Sequence, residues 1–372
     1  MSERTSIRAR HWSGLIATLV AIVLLTSCEE EDNGYFTPPI IFEDTTVVDT
    51  NYTIADPCLT SSCALRAMTV DGGSEILNFE FYSSYDILDT TARWGRIKSA
   101  IIVVHGNNRN ANEYFNWMSN SVLNMNLENE VVIISPFFKT SSDAGGDNSQ
   151  VYWSSNGWKR GFESTNITSE KISSYSVIDS FIAILNNEER FPFMENIIVT
   201  GHSAGAQFTH LYEAINSAPN DPARIDMGYI VANSQYFFYP GDERYDEASG
   251  GFKVPSGCTG YNSWPYGVDG LPSYGSEIGT DEVIAQMVAG RVTYLLGTLD
   301  IFTNGTLNTT DCEAKLLGKN RFDRGSIMYN YMETFYAGSS QHSRVTVENV
   351  GHDASAMYNS PEARALIKSI IN

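Results

Sequence analysis

A mostly parallel, doubly wound α/β sheet with helices on both faces is the fold that this sequence predicts. Two patterns and one junction predict it. Short runs of β-branched and other apolar residues recur along the chain, as strands buried on both faces require. Segments with apolar residues three and four apart alternate with those runs, as helices covering such a sheet require. The junction is Ile197-Ile198-Val199-Thr200, which runs into Gly201-His202-Ser203-Ala204-Gly205 and then into a helical stretch from Gln207 to Ile215. A Gly-x-Ser-x-Gly turn between strand and helix strains the backbone of its middle residue and lifts the serine hydroxyl above the strand end. Gly201 and Gly205 lack a Cβ, so the strand and the helix can pass closely there.

The chain opens on a processing segment. Arg4, Arg8 and Arg10 form a basic start, and Leu15 to Leu25 form an apolar run too short to span a bilayer. The run closes in Leu25-Thr26-Ser27-Cys28, which resembles the lipobox of bacterial lipoproteins. That resemblance implies removal of residues 1–27, acylation of Cys28, export, and lipid anchoring to the bacterial cell envelope. Several acyl chains on one residue hold a protein stably where a single chain does not. The run Glu29-Glu30-Glu31-Asp32 resembles the surface-export signal of some Bacteroidota lipoproteins and reads equally as a solvated tether. The outer-membrane surface is therefore one of the destinations left open. Residues 28–50, acidic and then carrying Thr37-Pro38-Pro39, are expected to be a flexible tether, and residues 51–372 a single α/β domain.

Without residues 1–27 the chain keeps 21 basic and 43 acidic side chains, a net charge of −22. Nucleic acids and anionic lipid surfaces attract positive proteins, so neither is an expected partner; membrane contact is expected through the N-terminal lipid only. Cys58, Cys63, Cys258 and Cys312 remain after Cys28, an even number that predicts two disulfides in an exported chain, with three possible connectivities. Cys58 and Cys63 lie close enough to close a small local ring, which leaves Cys258 for Cys312. No Cys-x-x-Cys pair or histidine cluster has zinc spacing, and no cofactor is expected.

Along the domain, Leu77 to Tyr82 alternates as an early strand, and Ala100 to Val104 is a buried strand ending in His105-Gly106. A helix is predicted over Asn112 to Asn124, a strand over Val131 to Ser135, and a polar stretch with Trp153, Trp158, Lys159 and Arg160 follows. Ser173 to Leu185 carries a helical stripe at Val177, Ile178, Phe181, Ile182 and Leu185. After the Ser203 junction, Met227 to Ala232 is a strand. Residues 233 to 280 are rich in Gly, Pro, Tyr and Trp without periodicity, and a loop of that length is usually functional. Val292 to Leu296 runs into Gly297-Thr298-Leu299-Asp300, Arg344 to Val350 runs into Gly351-His352, and Pro361 to Ile370 closes the chain as a helix.

Ligands in such sheets bind beyond the carboxyl ends of the strands. His105, Ser203, Asp300 and His352 each follow a predicted strand, so all four gather on that edge. A serine hydroxyl is a weak nucleophile until a base takes its proton, and a histidine, here His352, is the side chain suited to that role. Asp300 would accept the imidazole N–H and stabilise the imidazolium. Backbone N–H groups of Ala204 and Asn107 are the candidate oxyanion donors. His105 is expected to brace the oxyanion loop, His202 to pack beneath the turn, His210 to pack or lie on the surface, and His342 to lie at the wrong edge. Asp311 is the rival acid, but it does not directly end a strand.

The segments VVHG, GHSAG, LLGTLD and VGHD resemble the α/β-hydrolase superfamily over about residues 77 to 372. YWSSNGWKRG, CTGYNSWPYG, DCEAK and VGHDASAMYNSP are also similar to a group of secreted microbial α/β hydrolases. The resemblance implies the α/β-hydrolase fold and serine hydrolase chemistry; the order Ser, Asp, His fits it. His105-Gly106-Asn107-Asn108 departs from the glycine run of lipases and carboxylesterases at the second oxyanion donor.

The expected activity is acyl-enzyme hydrolysis of a carboxylic ester, small or polymer-linked. A serine peptidase or amidase and a non-catalytic surface binding lipoprotein are the other two classes. Trp153, Trp158 and Tyr236, with the other aromatics of a 233–280 excursion lying over the active site, are candidate subsite residues, and packing is the rival role for each. Arg109, Lys159 and Arg160 either face a carboxylated substrate or pair with nearby acids.

Overall fold

Ser99–Val104 is buried along its whole length and hydrogen-bonds in parallel to a strand on each side, so the sheet is built outward from it. The computed structural model describes residues 51–73, 76–167, 169–218, 222–303 and 305–371, and these belong to one unit. The signal segment, Cys28 and the expected tether lie outside the described residues.

The chain begins with α1 (Ser61–Ala64), β1 (Leu65–Asp71), β2 (Ile76–Ser83), β3 (Ser99–Val104), α2 (Ala111–Asn124) and β4 (Val131–Pro136). α3 (Ser141–Ala144), α4 (Ser174–Leu185), β5 (Asn196–His202), α5 (Ala204–Ile215) and β6 (Asp226–Ala232) follow. The excursion then holds a small hairpin, β7 (Arg244–Asp246) and β8 (Gly251–Lys253), before α6 (Thr280–Ala289) and β9 (Arg291–Gly297). The last elements are α7 (Cys312–Lys315), α8 (Arg321–Phe335), β10 (Ser343–Val347), α9 (Ala354–Tyr358) and α10 (Pro361–Ile371). The main sheet has the order β1-β2-β4-β3-β5-β6-β9-β10. β1 and β2 are antiparallel and sit at one edge; every pair from β4 to β10 is parallel.

Alternation along the strands divides the core in two. Ile102, Val104, Val199 and Val231 face α4, α5, α6 and α8. Ile101, Val103, Ile198 and Ile230 face α2, α9 and α10.

Three elements of seven residues or more stand outside the sequence expectation. β1 is an edge strand with one face open, so it needs no apolar run. α6 follows directly on the stretch without periodicity. α8 buries Arg321 and Arg324 on the same side as Met328 and Tyr331, which erases the apolar stripe that marks a helix. In the other direction, β10 is shorter than expected, because the chain turns at Asn349, whose φ is +59°.

Buried guanidiniums tie the excursion together beside its buried Phe237, Phe238, Tyr239 and Trp264. Arg244 is 1% exposed, and its guanidinium donates to the carbonyls of Gly241, Glu243, Tyr261 and Tyr266 and lies over the Tyr239 ring. Arg324 donates to the carbonyls of Gly318, Gln235 and Asn308, pinning the segment after β6 to the segment after β9. Disulfides join Cys58 to Cys63 and Cys258 to Cys312, the pairing expected from spacing.

His105, His202, His210 and His342 are all buried. Burial holds His105 and His342 down at about 4, His210 at about 3, and His202 well below the ordinary histidine range. A histidine neutral in the fold and cationic in the unfolded chain makes unfolding take up a proton below about pH 6.5, so each destabilises the fold as pH falls. The buried carboxyls Glu213 and Asp179, raised by burial, act in the opposite direction. A difference experiment isolates one histidine. Between pH 7 and 5, the His342→Gln chain should lose about 2 kcal/mol less unfolding free energy than the parent in urea titrations. Parallel losses would mean that His342 takes up protons alike in the folded and unfolded chains.

Candidate active site

The turn after β5 puts Ser203 at φ +59°, ψ −113°, a conformation a non-glycine residue adopts at a cost of order 1–3 kcal/mol. The turn holds because Ser203 N–H donates to Ala232 O at 3.0 Å and Gln207 N–H to Ser203 O at 3.1 Å. A Cβ on Gly201 would strike the backbone of Gly205, and a Cβ on Gly205 would strike the carbonyls of Val104 and His105. Both glycines of the motif are therefore required by backbone approach.

Three side chains from three strand ends meet above the sheet. His352 Nε2 lies 2.9 Å from Ser203 Oγ, and His352 Nδ1 lies 2.7 Å from Asp300 Oδ2. Asp300 is 2% exposed, while His352 stays partly open to solvent. Asp300 N–H donates to Gly297 O at 3.0 Å, and Asp300 O accepts from Phe322 N–H at 3.2 Å. Arg321, also buried, places Nη1 3.8 Å from Asp300 Oδ1 and donates from Nη2 to Thr306 Oγ1 at 3.1 Å. Nothing in the sequence points to Arg321, which opens a helix 21 positions past Asp300. Asp311 instead accepts from Asn308 Nδ2 at 2.7 Å.

The opposite side of the cleft is built by the loop after β3. His105 Nε2 accepts from Phe138 N–H at 3.1 Å, so the ring carries its proton on Nδ1, which donates to Gly106 O at 2.9 Å. His105 thus braces this loop. Asn107 is gripped twice: Lys159 Nζ donates to its Oδ1 at 3.0 Å, and Arg109 Nη1 to its carbonyl at 2.8 Å. Burial, with Arg160 and Arg109 nearby, brings the Lys159 ammonium down to about 8. Among the described residues no protein acceptor takes the N–H of Asn107 or of Ala204.

The cleft over Ser203 has a volume of about 370 Å³. Its walls include Asn107, Asn108, Trp117, Thr306 and Asp353, and no residue of 233–280 lines it. Four expected substrate contacts therefore move elsewhere. Arg109 ion-pairs with Asp143 at 2.5 Å and serves the loop instead of the cleft. Trp153 and Trp158 are 1% and 0% exposed; they pack against Phe138 in the core, because the loop after β4 folds inward onto α5. Tyr236 packs on Tyr266, and its hydroxyl accepts from Asn308 Nδ2, bracing the loop after Asp300.

The Cys258–Cys312 bridge is expected from the sequence to restrain the Asp300 loop. Asp300 has restraints of its own in Gly297, Phe322 and Arg321, and Asn308 is held by Arg324. Replacing both cysteines by serine should thus cost about 4 kcal/mol of stability but only a few-fold in turnover; opening the Cys58–Cys63 ring should cost about 2 kcal/mol. Thermal melts and kcat of the two double variants check this, and a turnover loss of 100-fold or more in Cys258→Ser/Cys312→Ser would return the bridge to the acid's support.

Sheet order, elbow and cleft together define an α/β-hydrolase fold. Solved structures agree. The LpqC poly(3-hydroxybutyrate) depolymerase from Bordetella parapertussis matches with a TM-score of 0.54 at 19% identity, over 83% of this chain and 95% of its own. Poly(aspartic acid) hydrolase-1 from Sphingomonas sp. KT-1 matches with a TM-score of 0.56 at 16% identity, over 84% of this chain and 100% of its own. No family model matches the sequence, and neither does any curated protein.

Proposed function

We propose that the protein is a serine hydrolase that cleaves a carboxylic ester through an acyl-enzyme intermediate. The observation that carries this reading is the Ser203–His352–Asp300 chain of hydrogen bonds at a strained elbow inside a cleft. Ser203 Oγ attacks the acyl carbon while His352 Nε2 takes its proton, and Asp300 accepts the Nδ1–H and stabilises the imidazolium. The tetrahedral oxyanion is taken up by the N–H groups of Ala204 and Asn107, with the Lys159 and Arg109 cations behind Asn107. His352 returns the proton to the departing alkoxide. It then deprotonates a water, which attacks the acyl-Ser203 carbon, and gives that proton to Ser203 Oγ as the C–O bond breaks and the acid is released.

A neighbour named for a polyester, poly(3-hydroxybutyrate), supports an ester as the bond cleaved. The one named for poly(aspartic acid) favours an amide as the second reading. Purified residues 29–372 should hydrolyse p-nitrophenyl esters of graded acyl length faster than aminoacyl anilides and should be labelled by a fluorophosphonate. Faster anilide turnover would favour the amidase. No turnover and no labelling would leave a binding lipoprotein.

Export and lipid anchoring at Cys28 belong to the same proposal and rest on the Leu25-Thr26-Ser27-Cys28 sequence. The full-length Cys28→Ala chain should stop incorporating labelled palmitate; unchanged incorporation would remove the anchor.

A further inference from the structure

Asn233 is the first residue after β6, at the carboxyl edge of the sheet between β5 and β9. It is 0% exposed and has φ +50°, a left-handed backbone that asparagine tolerates better than most residues. Its N–H donates to Leu295 O at 3.1 Å, which extends the β6–β9 pairing by one residue and aims the side chain across the strand ends.

Every polar atom of that side chain is used. Oδ1 accepts from Gly297 N–H at 2.9 Å, and Gly297 starts the turn that carries Asp300. Nδ2 lies 3.2 Å from Gly351 O, the carbonyl just before His352. Nδ2 also lies 3.3 Å from His202 Nε2, the ring just before Ser203. Because Oδ1 is committed to an N–H, the other end of the amide is the donor, and His202 Nε2 must accept. His202 therefore carries its single proton on Nδ1.

The placement of that ring matters to the base. The His202 and His352 rings lie 4.5 Å apart, centroid to centroid. His352 must become cationic when it takes the Ser203 proton, and a second cation at that distance would oppose it. The charged and titratable groups facing His202 are His352 and Arg321, and with burial they keep it neutral.

We propose that Asn233 is a positioning residue: one amide ties together the strand ends that carry Ser203, Asp300 and His352, and it holds His202 as the neutral Nδ1–H tautomer against the His352 ring. A short primary amide suits the position because it offers one acceptor and two donors at once. An aspartate of the same shape would face the Gly351 carbonyl with an oxygen and draw a proton onto His202. The effect on turnover rests on the hydrolase reading above; the tautomer does not.

The experiment has two arms. With ¹⁵N-labelled histidine in residues 29–372, long-range ¹H–¹⁵N correlation should show His202 as Nδ1–H and neutral at pH 6, and as doubly protonated in Asn233→Asp. In kinetics on p-nitrophenyl acetate, Asn233→Asp and Asn233→Gly should each lose about 100-fold in kcat with KM changed less than about threefold, the cost expected of a misplaced reacting group. Asn233→Gly keeps the left-handed backbone accessible, and if it does not fold, Asn233→Asp carries both arms. An Nε2–H tautomer in the native chain overturns the proposal, as does a folded variant with kcat within about threefold of the native chain. A native chain without any hydrolase activity removes the function proposed above, and the tautomer then decides the role of Asn233.

Discussion

Replacing Ser203 by alanine should abolish hydrolysis, with kcat falling on the order of 10⁶-fold, the loss seen when a triad nucleophile is removed. Ser203 Oγ is the hydroxyl that bonds His352 Nε2, so no other group in the cleft inherits its proton path. The alanine has no oxygen to form the acyl-enzyme, and His352 is left with only water to activate. Residual rate above the buffer reaction would come from the oxyanion donors alone. The variant should fold well, since removing one hydroxyl from a strained residue leaves the Ala232 and Gln207 backbone bonds in place. Fluorophosphonate labelling should vanish with activity. Labelling that persists in Ser203→Ala would move the nucleophile to another residue.

Asp300→Asn should cost roughly 10⁴-fold in kcat, as the same change does in a related triad. The amide fills the space of the carboxylate, so the loss arises from proton placement. An NH₂ facing His352 Nδ1 forces that nitrogen to accept, which puts the ring proton on Nε2 and removes the base from Ser203. An amide oxygen facing it gives a neutral acceptor that stabilises the imidazolium far less. Either way Arg321, 3.8 Å from Asp300 in the native site, loses the charge that balances it while staying buried. Asp311→Asn, which alters only a contact to the Asn308 loop, should stay within a few-fold of the native rate. Equal losses in the two variants would mean that the acid is wrongly assigned or that either carboxylate serves.

The parts of the fold legible in the sequence are those whose physics is local. The run Ala100 to Val104 has to be a strand buried on both faces, and the two glycines around Ser203 answer to backbone clashes within the motif itself. A residue within a few positions of a parallel strand's carboxyl end is placed at the sheet edge whatever lies between the strands, which is why Ser203, Asp300 and His352 read together. What escaped depends on long-range pairing. A tryptophan count cannot say whether Trp153 and Trp158 line a cleft or fill the space against Phe138. α8 was hidden because its buried arginines answer to carbonyls distant in sequence, such as Gln235 O and Asn308 O. Asn233 is one asparagine after one strand, and only the meeting of three loops around it marks it out.

Arg244 has a dynamic consequence. Its guanidinium accepts no partial arrangement: the carbonyls of Gly241, Glu243, Tyr261 and Tyr266 converge on it from both arms of the excursion. If one arm lifts away, a buried cation is left with unmet donors, so the first opening is costly and the remainder follows at little extra cost. The region from Tyr239 to Tyr266 should then open as one cooperative unit and not fray from its tip. Its amides would share a single exchange free energy under native conditions, set below that of the central sheet and insensitive to what occupies the cleft, which none of its residues lines.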